Sequence, residues 1–263
     1  MTKWFYYIYI IAKNSFSEKK KIIFQMFNHV FFLVFNLYLY RHVYELVPSV
    51  ADKLPYANAV WSMSMYFAVF WLGLNGIEKV FRQDILSGNV EIYMLRPISY
   101  IWQKILTQLG QGILPFISAT VFSVSINYFV VGLPSMNISM PLWIMSLILI
   151  FLLSQILITF LYVLCGLSGF WFQNSESMYF VTSKLVMILG GAWVPIAFFP
   201  EFLQAIARFS PFGGAMALSF AMYPNFDAHF LSIILNIIFW IAIFAFITYF
   251  VSNKTNRKLA VNG

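Results

Sequence analysis

The 263-residue chain has little charge, one cysteine and three histidines, and these shortages exclude several classes of protein. Only 10% of the residues are charged, against roughly 25% in soluble domains, while 61% are hydrophobic and 20% are aromatic. A water-facing surface built from this composition would carry large apolar patches, so we expect lipid to be the main solvent. Cys165 has no partner for a disulfide, and the three widely separated histidines supply no local cluster of metal ligands.

Motifs for nucleotide binding and for nucleophilic catalysis are also missing. None of the 13 glycines begins a Gly-x-x-x-x-Gly-Lys-Ser/Thr run, and no polar stretch is long enough for a nucleotide-binding domain. Ser168 lies in a Gly-Leu-Ser-Gly run that is one residue short of a nucleophile elbow, so we interpret these residues as small contacts between helices. We expect no catalytic residue, no metal and no cofactor in this chain, and any use of ATP requires another subunit.

Six apolar runs are long enough to cross a bilayer, which takes about 20 helical residues. We predict an all-α integral membrane protein, a single transmembrane domain over residues 1–263. Its six spans are expected at 22–40, 57–77, 105–131, 141–172, 179–199 and 230–251.

The basic residues are distributed unevenly between the two sides of this arrangement. Basic loops stay in the cytoplasm, so the distribution predicts that both termini are cytoplasmic. We expect a bacterial cell (inner) membrane, and the sequence leaves open whether it is an inner membrane or the single membrane of another bacterium. The same placement explains the net charge of +7 without nucleic acid, because no soluble domain carries a basic patch. Inside lie Lys3, Lys13, Lys19, Lys20, Lys21, Lys79, Arg82, Arg96, Lys104, Lys184, Lys254, Arg257 and Lys258; outside lie only Arg41, Lys53 and Arg208.

Residues 1–21 are expected to form a helix that lies in the inner interface. Trp4, Tyr7, Ile8 and Ile11 follow helical spacing, and Trp and Tyr favour the headgroup level. A floppy basic-aromatic tail is the alternative.

The first span carries a polar stripe of Gln25, Asn28, His29 and Asn36, which are spaced three, four and seven residues apart on roughly one helical face. Polar residues in a span face away from lipid. The stripe either lines a pathway or a subunit contact, or it forms hydrogen bonds to neighbouring helices, and both interpretations stay open.

The segment 78–104 between the second and third spans is amphipathic. Apolar residues alternate with charges of both signs, Ser87-Gly88-Asn89 interrupts the middle, and Arg96-Pro97 ends any helix. A simple connection needs no such apolar pattern, so we predict short cytoplasmic helices that dock a soluble partner.

With these residues the sequence resembles the ABC-2 type permeases, in particular a group of short six-span subunits. The residues that carry the resemblance are Ile85-Leu86-Ser87-Gly88 and Leu95-Arg96-Pro97-Ile98-Ser99. A second similarity runs from Trp193-Val194-Pro195-Ile196-Ala197-Phe198-Phe199-Pro200 through Ile206 to Ser210-Pro211-Phe212.

The resemblance implies an exporter in which this permease pairs with a second, identical or paralogous permease. Two separate ATPase subunits would bind beneath them and hold the ATP and Mg, and a coupling helix would transmit their closure. The alternative interpretation of the segment 78–104 is an ordinary solvated loop. The implied ATPase-coupling residues are Arg82, Gln83, Asp84, Ile85, Leu86, Ser87, Gly88, Asn89 and Glu91.

The stretch from Pro195 to Pro224 is apolar, yet prolines and glycines break it into short pieces. Broken helices at membrane depth must be buried in protein, so we predict an outer re-entrant hairpin at 200–226 that gates the pathway. A surface-lying amphipathic helix without a gating role is the alternative. The candidate gate residues are Pro195, Phe198, Phe199, Pro200 and Pro211.

Two other classes of function are compatible with a membrane protein of this kind. A membrane-embedded lipid-modifying enzyme would need clustered His, Asp or Glu, but the only clustered acids are Glu78, Asp84 and Glu91, and no His accompanies them. An accessory or regulatory partner of another permease is the second. The cargo of an exporter is left open, because lipid-facing helices share the aromatic-rich composition that suits an amphipathic cargo.

Overall fold

A computed structural model describes residues 2–94, 99–172 and 174–262, with the side chains of all of these except 2, 3, 91, 94 and 255–262. In these ranges the α-helices are α1 (Thr2–Ser15), α2 (Lys19–Leu46), α3 (Val50–Lys53), α4 (Tyr56–Trp71), α5 (Ile77–Ser87), α6 (Val90–Met94), α7 (Tyr100–Val131), α8 (Met140–Phe172), α9 (Glu176–Leu189), α10 (Glu201–Phe209), α11 (Pro211–Ala215) and α12 (Phe226–Asn262). Three 3₁₀ turns lie at Leu74–Gly76, Ile196–Phe198 and Ala217–Met222. No strand occurs among the described residues.

Within the described ranges, four helices are long and apolar enough to cross a membrane: α2, α7, α8 and α12. They correspond to the predicted spans 22–40, 105–131, 141–172 and 230–251. A fifth crossing exists if α4 and the segment Leu74–Ser87, which meet at 51°, count as one bent span. The sequence-based prediction of an all-helical membrane protein is confirmed, whereas six continuous spans are not found in the described residues.

The predicted span 57–77 is not one straight helix. Helix α4 ends at Trp71, and Gly73 then takes a left-handed backbone with a φ of 81°, which interrupts the helix before α5. The bend lies against Gly112 of α7, where a Cβ would overlap the carbonyl oxygen of Leu72. The second half of this segment therefore turns away from the direction of α4.

The prediction of a helix over 179–199 is wrong. Helix α9 has 14 residues, which gives about 21 Å at 1.5 Å per residue, less than the roughly 30 Å of a bilayer core. It ends at Leu189, and Gly191 has a φ of 75°. Pro195 and Pro200 then prevent a continuous helix.

The helix ends sort into two groups that agree with the predicted alternation of loops. At one end of the bundle lie α1, α5, the starts of α7 and α9 and the last turns of α8. Side-chain contacts connect them: the hydrogen bonds Tyr7–Thr107 and Glu78–Ser175 and the ion pair Asp84–Lys104. At the other end lie the end of α2, the start of α4, the end of α7, the start of α8 and residues 190–226. They are connected by the hydrogen bonds Tyr40–Trp193, Asn58–Met222 and Trp143–Ala221.

Small residues let α8 pack closely on α5, as the sequence predicts for the run around Ser168. A Cβ built on Gly166 would lie 2.8 Å from the Cβ of Phe81, and one built on Gly169 would lie 3.0 Å from the Cδ1 of Ile85. Phe81 is completely buried in this contact. The inner side of α5 therefore belongs to the main hydrophobic core.

Candidate functional site

Helix α5 has a buried side that is tied to α7 by an ion pair. Asp84 and Lys104 are both buried, and the Lys104 Nζ lies 2.5 Å from the Asp84 Oδ2. The hydroxyl of Tyr100 donates to the same oxygen at 2.8 Å, and the Lys104 Nζ lies 3.5 Å from the centre of the Tyr93 ring. These contacts compensate two buried charges whose desolvation would otherwise be costly.

A second polar contact ties the beginning of α5 to the beginning of α9. Glu78 is completely buried, and its Oε1 accepts hydrogen bonds from the Ser175 hydroxyl at 2.5 Å and from the Arg82 Nε at 3.2 Å. The Arg82 Nη1 also reaches the Glu176 Oε2 at 3.4 Å. Helix α5 is thus connected to two neighbouring helices through charged side chains.

The opposite side of α5 is unpartnered among the described residues. Lys79, Gln83 and Leu86 lie four and three residues apart on one exposed stripe, and Leu86 is 70% exposed. Beyond it Ser87, Gly88 and Asn89 are exposed, and Gly88 ends the helix with a φ of 71°. This left-handed backbone confirms the turn predicted at that glycine.

The predicted coupling residues therefore divide between the two sides of α5. Asp84 is buried and Ile85 packs against Gly169, so both lie on the side of α5 that faces the bundle, and their role in coupling stays a prediction. Arg82 is half-buried, and the exposed members are Gln83, Leu86, Ser87, Gly88 and Asn89. The side chain of Glu91 and the motif residues 95–98 lie outside the described residues.

Residues 190–226, which the sequence predicts to lie on the outside and which we call the outer segment, are broken in several places. Side chains of neighbouring helices, and Gln204 within the segment, bind its free carbonyls. Because lipid offers no hydrogen bonds, broken helices need such partners. The donors are Tyr40 to Trp193 at 3.0 Å, Asn58 to Met222 at 2.7 Å, Trp143 to Ala221 at 3.1 Å, Gln204 to Phe199 at 2.8 Å, Asn236 to Arg208 at 2.9 Å and Trp240 to Phe209 at 2.8 Å. Most of residues 211–222 are buried.

The predicted gate residues lie at different depths in this segment. Pro195 and Pro211 are buried, Pro200 is exposed, and Phe198 and Phe199 are half-buried. The Phe198 ring packs edge-on against Tyr44 at 6.2 Å. Phe199 lines a cavity of about 740 Å³ that opens beside α10.

A family model described as ABC-2 family transporter protein matches residues 32–260. The chain belongs to the ABC-2 transporter family. It is a multi-pass integral membrane protein and a permease component of an ABC transporter. The match begins inside α2, so α1 lies before it. No curated protein matches the chain significantly.

The four residues of the polar stripe lie in different environments in this ABC-2 permease. His29 is buried and accepts a hydrogen bond at Nδ1 from the Trp71 indole at 2.9 Å, so its Nε2 carries the proton donated to Ser123 at 2.8 Å. Asn36 is buried and donates to the Phe32 carbonyl at 2.7 Å. Hydrogen bonds within the bundle thus account for the buried polar side chain of His29, which links α2 to α4 and α7.

The other two residues of the stripe have different environments. Asn28 is exposed, whereas Gln25 lines a cavity of about 300 Å³ at the bend of the permease. Gln108, Gln111 and Asn75 line the same cavity, so four side-chain amides converge there. Gln108 also donates to the Gly73 carbonyl at 3.0 Å, which satisfies one group freed by the bend.

Sequence reasoning missed three residues that fix α5 and the bend before it in this permease: Lys104, Gln108 and Gln155. Gln155 of α8 donates to the Val69 carbonyl at 2.9 Å, close to the bend. Each has a polar neighbour, Gln103, Thr107 or Ser154, within a long and mostly apolar helix, and such polar pairs are the available sequence signal. Among the described residues of the permease, no group of three or more His, Cys, Asp or Glu could hold a metal ion.

Proposed function

We propose that this permease is the transmembrane subunit of an ATP-driven exporter in a bacterial cell (inner) membrane. It pairs with a second permease, identical or paralogous, and two copies of a separate ATPase subunit bind beneath the pair. The ATPase holds the ATP and Mg. Both termini of the permease are cytoplasmic, so α5 faces the ATPase and residues 190–226 face the outside.

The observation that carries this proposal is the two-sided character of α5. Its exposed stripe of Lys79, Gln83 and Leu86 combines a cation, an amide and an apolar side chain, as expected of a docking surface. On its other side Asp84 is paired with Lys104 in the interior. One short helix therefore offers contacts to a soluble partner while being fixed to the membrane helices.

The fixed side of α5 provides the route for coupling. Glu78 links α5 to α9 through Ser175, and Asp84 links it to α7 through Lys104. A displacement of α5 by ATPase closure would then move the starts of both helices together. The bend at Gly73 is where α5 changes direction relative to α4.

The outer segment supplies the gate in this proposal. Phe198 and Phe199 lie where the chain turns at Pro200, between the core and the outer cavity. Replacing both by Ala is expected to raise basal leak of a fluorescent solute from proteoliposomes while the protein still assembles with its ATPase. An unchanged leak and an unchanged basal ATP hydrolysis would assign these residues to lipid contacts instead.

The coupling role is tested with Leu86→Asp in the tagged permease, expressed in its native membrane. Because Leu86 is exposed, the thermal unfolding temperature should stay within about 2 °C of the parent. Magnesium-dependent ATP hydrolysis that copurifies with the permease should fall at least tenfold, because a charge replaces the apolar contact.

Leu46→Asp is the matched control, since Leu46 is 67% exposed at the opposite end of the bundle. It should leave the copurified hydrolysis unchanged. If Leu86→Asp retains full hydrolysis, or if both variants lose it equally, α5 is not the docking helix.

A further inference from the structure

The outer end of the bundle contains a cavity of about 740 Å³ between α10, the start of α12 and α3. Its polar lining includes Lys53, Glu201, Arg208 and His229. Aromatic side chains, among them Phe209 and Tyr223, complete the wall. No part of the coupling machinery at α5 uses this space.

Two of the three basic residues assigned to the outer side meet in this cavity. Lys53 lies on α3 and Arg208 lies on α10, and both line the space. Neither takes part in an ion pair among the described residues, and Glu201 is likewise unpaired there. The two cations outnumber the single lining carboxylate, so the cavity is suited to an anion.

Arg208 is the more enclosed of the two cations that line the cavity, since Lys53 is exposed. Arg208 is half-buried, and its planar guanidinium can bind a phosphate with two parallel hydrogen bonds.

Helix α10 also carries an apolar stripe directly beside the cavity. Glu201, Gln204 and Arg208 point to the cavity side of the helix. At 100° per residue, Phe202, Ile206 and Phe209 lie on average about 130° away on the same helix, which is more than a third of a turn. All three are exposed, with Phe202 at 68% and Phe209 at 61%, and Phe209 also lines the cavity.

This combination of a cationic cavity and an adjoining apolar stripe selects for one kind of ligand. We propose that the cavity binds the phosphate of an anionic amphiphile taken from the membrane, with its acyl chain along Phe202, Ile206 and Phe209. A free anion would gain nothing from the stripe, and an uncharged lipid would leave Lys53 and Arg208 without a partner. The binding site stands on this geometry, and only its placement on the outside rests on the proposed function.

Binding is measured on the full-length permease in uncharged detergent, by titration with short-chain phosphatidylglycerol, phosphatidylcholine and inorganic phosphate. We expect phosphatidylglycerol to bind at least tenfold more tightly than either of the others, with an affinity that falls as salt is added. Inorganic phosphate that binds as tightly as phosphatidylglycerol would overturn the role of the apolar stripe. Phosphatidylcholine that binds as tightly would overturn the selection for a lipid with a net negative charge.

The variant Lys53→Gln/Arg208→Gln should lower the affinity for phosphatidylglycerol at least tenfold. Lys53→Gln alone, at an exposed position where substitution is expected to change stability little, should lower that affinity about threefold. Arg41→Gln is the matched control, because Arg41 is the third outer basic residue but pairs with Glu45 at 3.1 Å outside this cavity. Unchanged binding in Lys53→Gln and in the double variant, or an equal loss in Arg41→Gln, would refute the site.

This test is independent of the test for the exporter role. Leu86→Asp should bind phosphatidylglycerol as the parent does, because α5 lies at the other end of the bundle. Loss of lipid selectivity with normal ATPase coupling would refute the cavity proposal alone. Retained selectivity without any copurifying ATPase would refute the exporter proposal alone.

Discussion

Helix α5 and the outer segment 190–226 both interrupt the helical bundle, but they are stabilised by different chemistry. Around α5, buried charges are paired: Asp84 with Lys104, and Glu78 with Arg82. The outer segment has only two charged residues, Glu201 and Arg208, and its carbonyls are bound by neutral indole, amide and phenol donors. The inner interruption thus has buried charge pairs in addition to the neutral amide donors at its bend, whereas the outer one is held by neutral donors alone.

The difference has a mechanical consequence. Removing one partner of a buried ion pair costs about 3–5 kcal/mol, whereas a neutral hydrogen bond contributes about 0.5–1.5 kcal/mol. Helix α5 should therefore move together with α7, as coupling requires. The short pieces of the outer segment are held by individually weaker bonds, as an element that opens and closes would need.

The largest effect is expected from Lys104→Met, which leaves Asp84 buried without its cation. The free energy of unfolding should fall by about 3–5 kcal/mol. The measurement is the midpoint of unfolding in mixed micelles as the fraction of sodium dodecyl sulfate is raised.

Lys79→Met is the matched control, because Lys79 is exposed on the stripe of α5 and makes no ion pair among the described residues. It should change stability by less than about 0.5 kcal/mol. The double variant Asp84→Leu/Lys104→Met should recover much of the loss, since it removes both charges. If Lys104→Met unfolds at the same midpoint as Lys79→Met, the inner end does not depend on the charge pair.

A smaller effect is expected from removing one neutral donor at each end. Gln155→Leu frees the buried carbonyl of Val69 near the bend and should cost about 1–3 kcal/mol. Asn236→Leu frees the carbonyl of Arg208 on the partly exposed α10, where water can replace the donor, and should cost about 0.5–1.5 kcal/mol. Both are measured by the same unfolding midpoint.

Two exposed amides serve as controls for this pair of variants: Gln111→Leu on α7 and Asn253→Leu on α12, which should be nearly neutral. A loss at Asn236 larger than the loss at Lys104 would reverse the comparison, because the outer end would then be the more rigid one.

The extent to which the sequence predicts this fold depends on the kind of element. Helices α2, α7, α8 and α12 follow from apolar runs long enough to cross lipid, since run length is a property of consecutive residues. The helix at the N-terminus and the turn at Gly88 also follow from local patterns. Hydropathy did not resolve the breaks after Trp71 and Leu189, because apolar residues continue through both.

The candidate site was predictable only as a segment. The sequence indicates that 78–104 is amphipathic. It does not indicate which side of α5 the neighbouring helices will cover, because those helices lie elsewhere in the chain. Helix α8 covers the side with Phe81 and Ile85, which leaves Leu86 outside. Asp84 lies inside the bundle, where Lys104 on another helix neutralises it, and the local sequence around Asp84 does not indicate that partner.

By itself, the sequence determined that this protein lies in a membrane, which runs cross it, and which loops are basic, because these depend on composition and on neighbouring residues. Only the tertiary structure decided which polar groups meet. Asp84 with Lys104, Gln155 with the carbonyl of Val69, and Lys53 with Arg208 across one cavity are pairs whose members lie on different elements. Helix packing brings them together, and no local pattern encodes that packing.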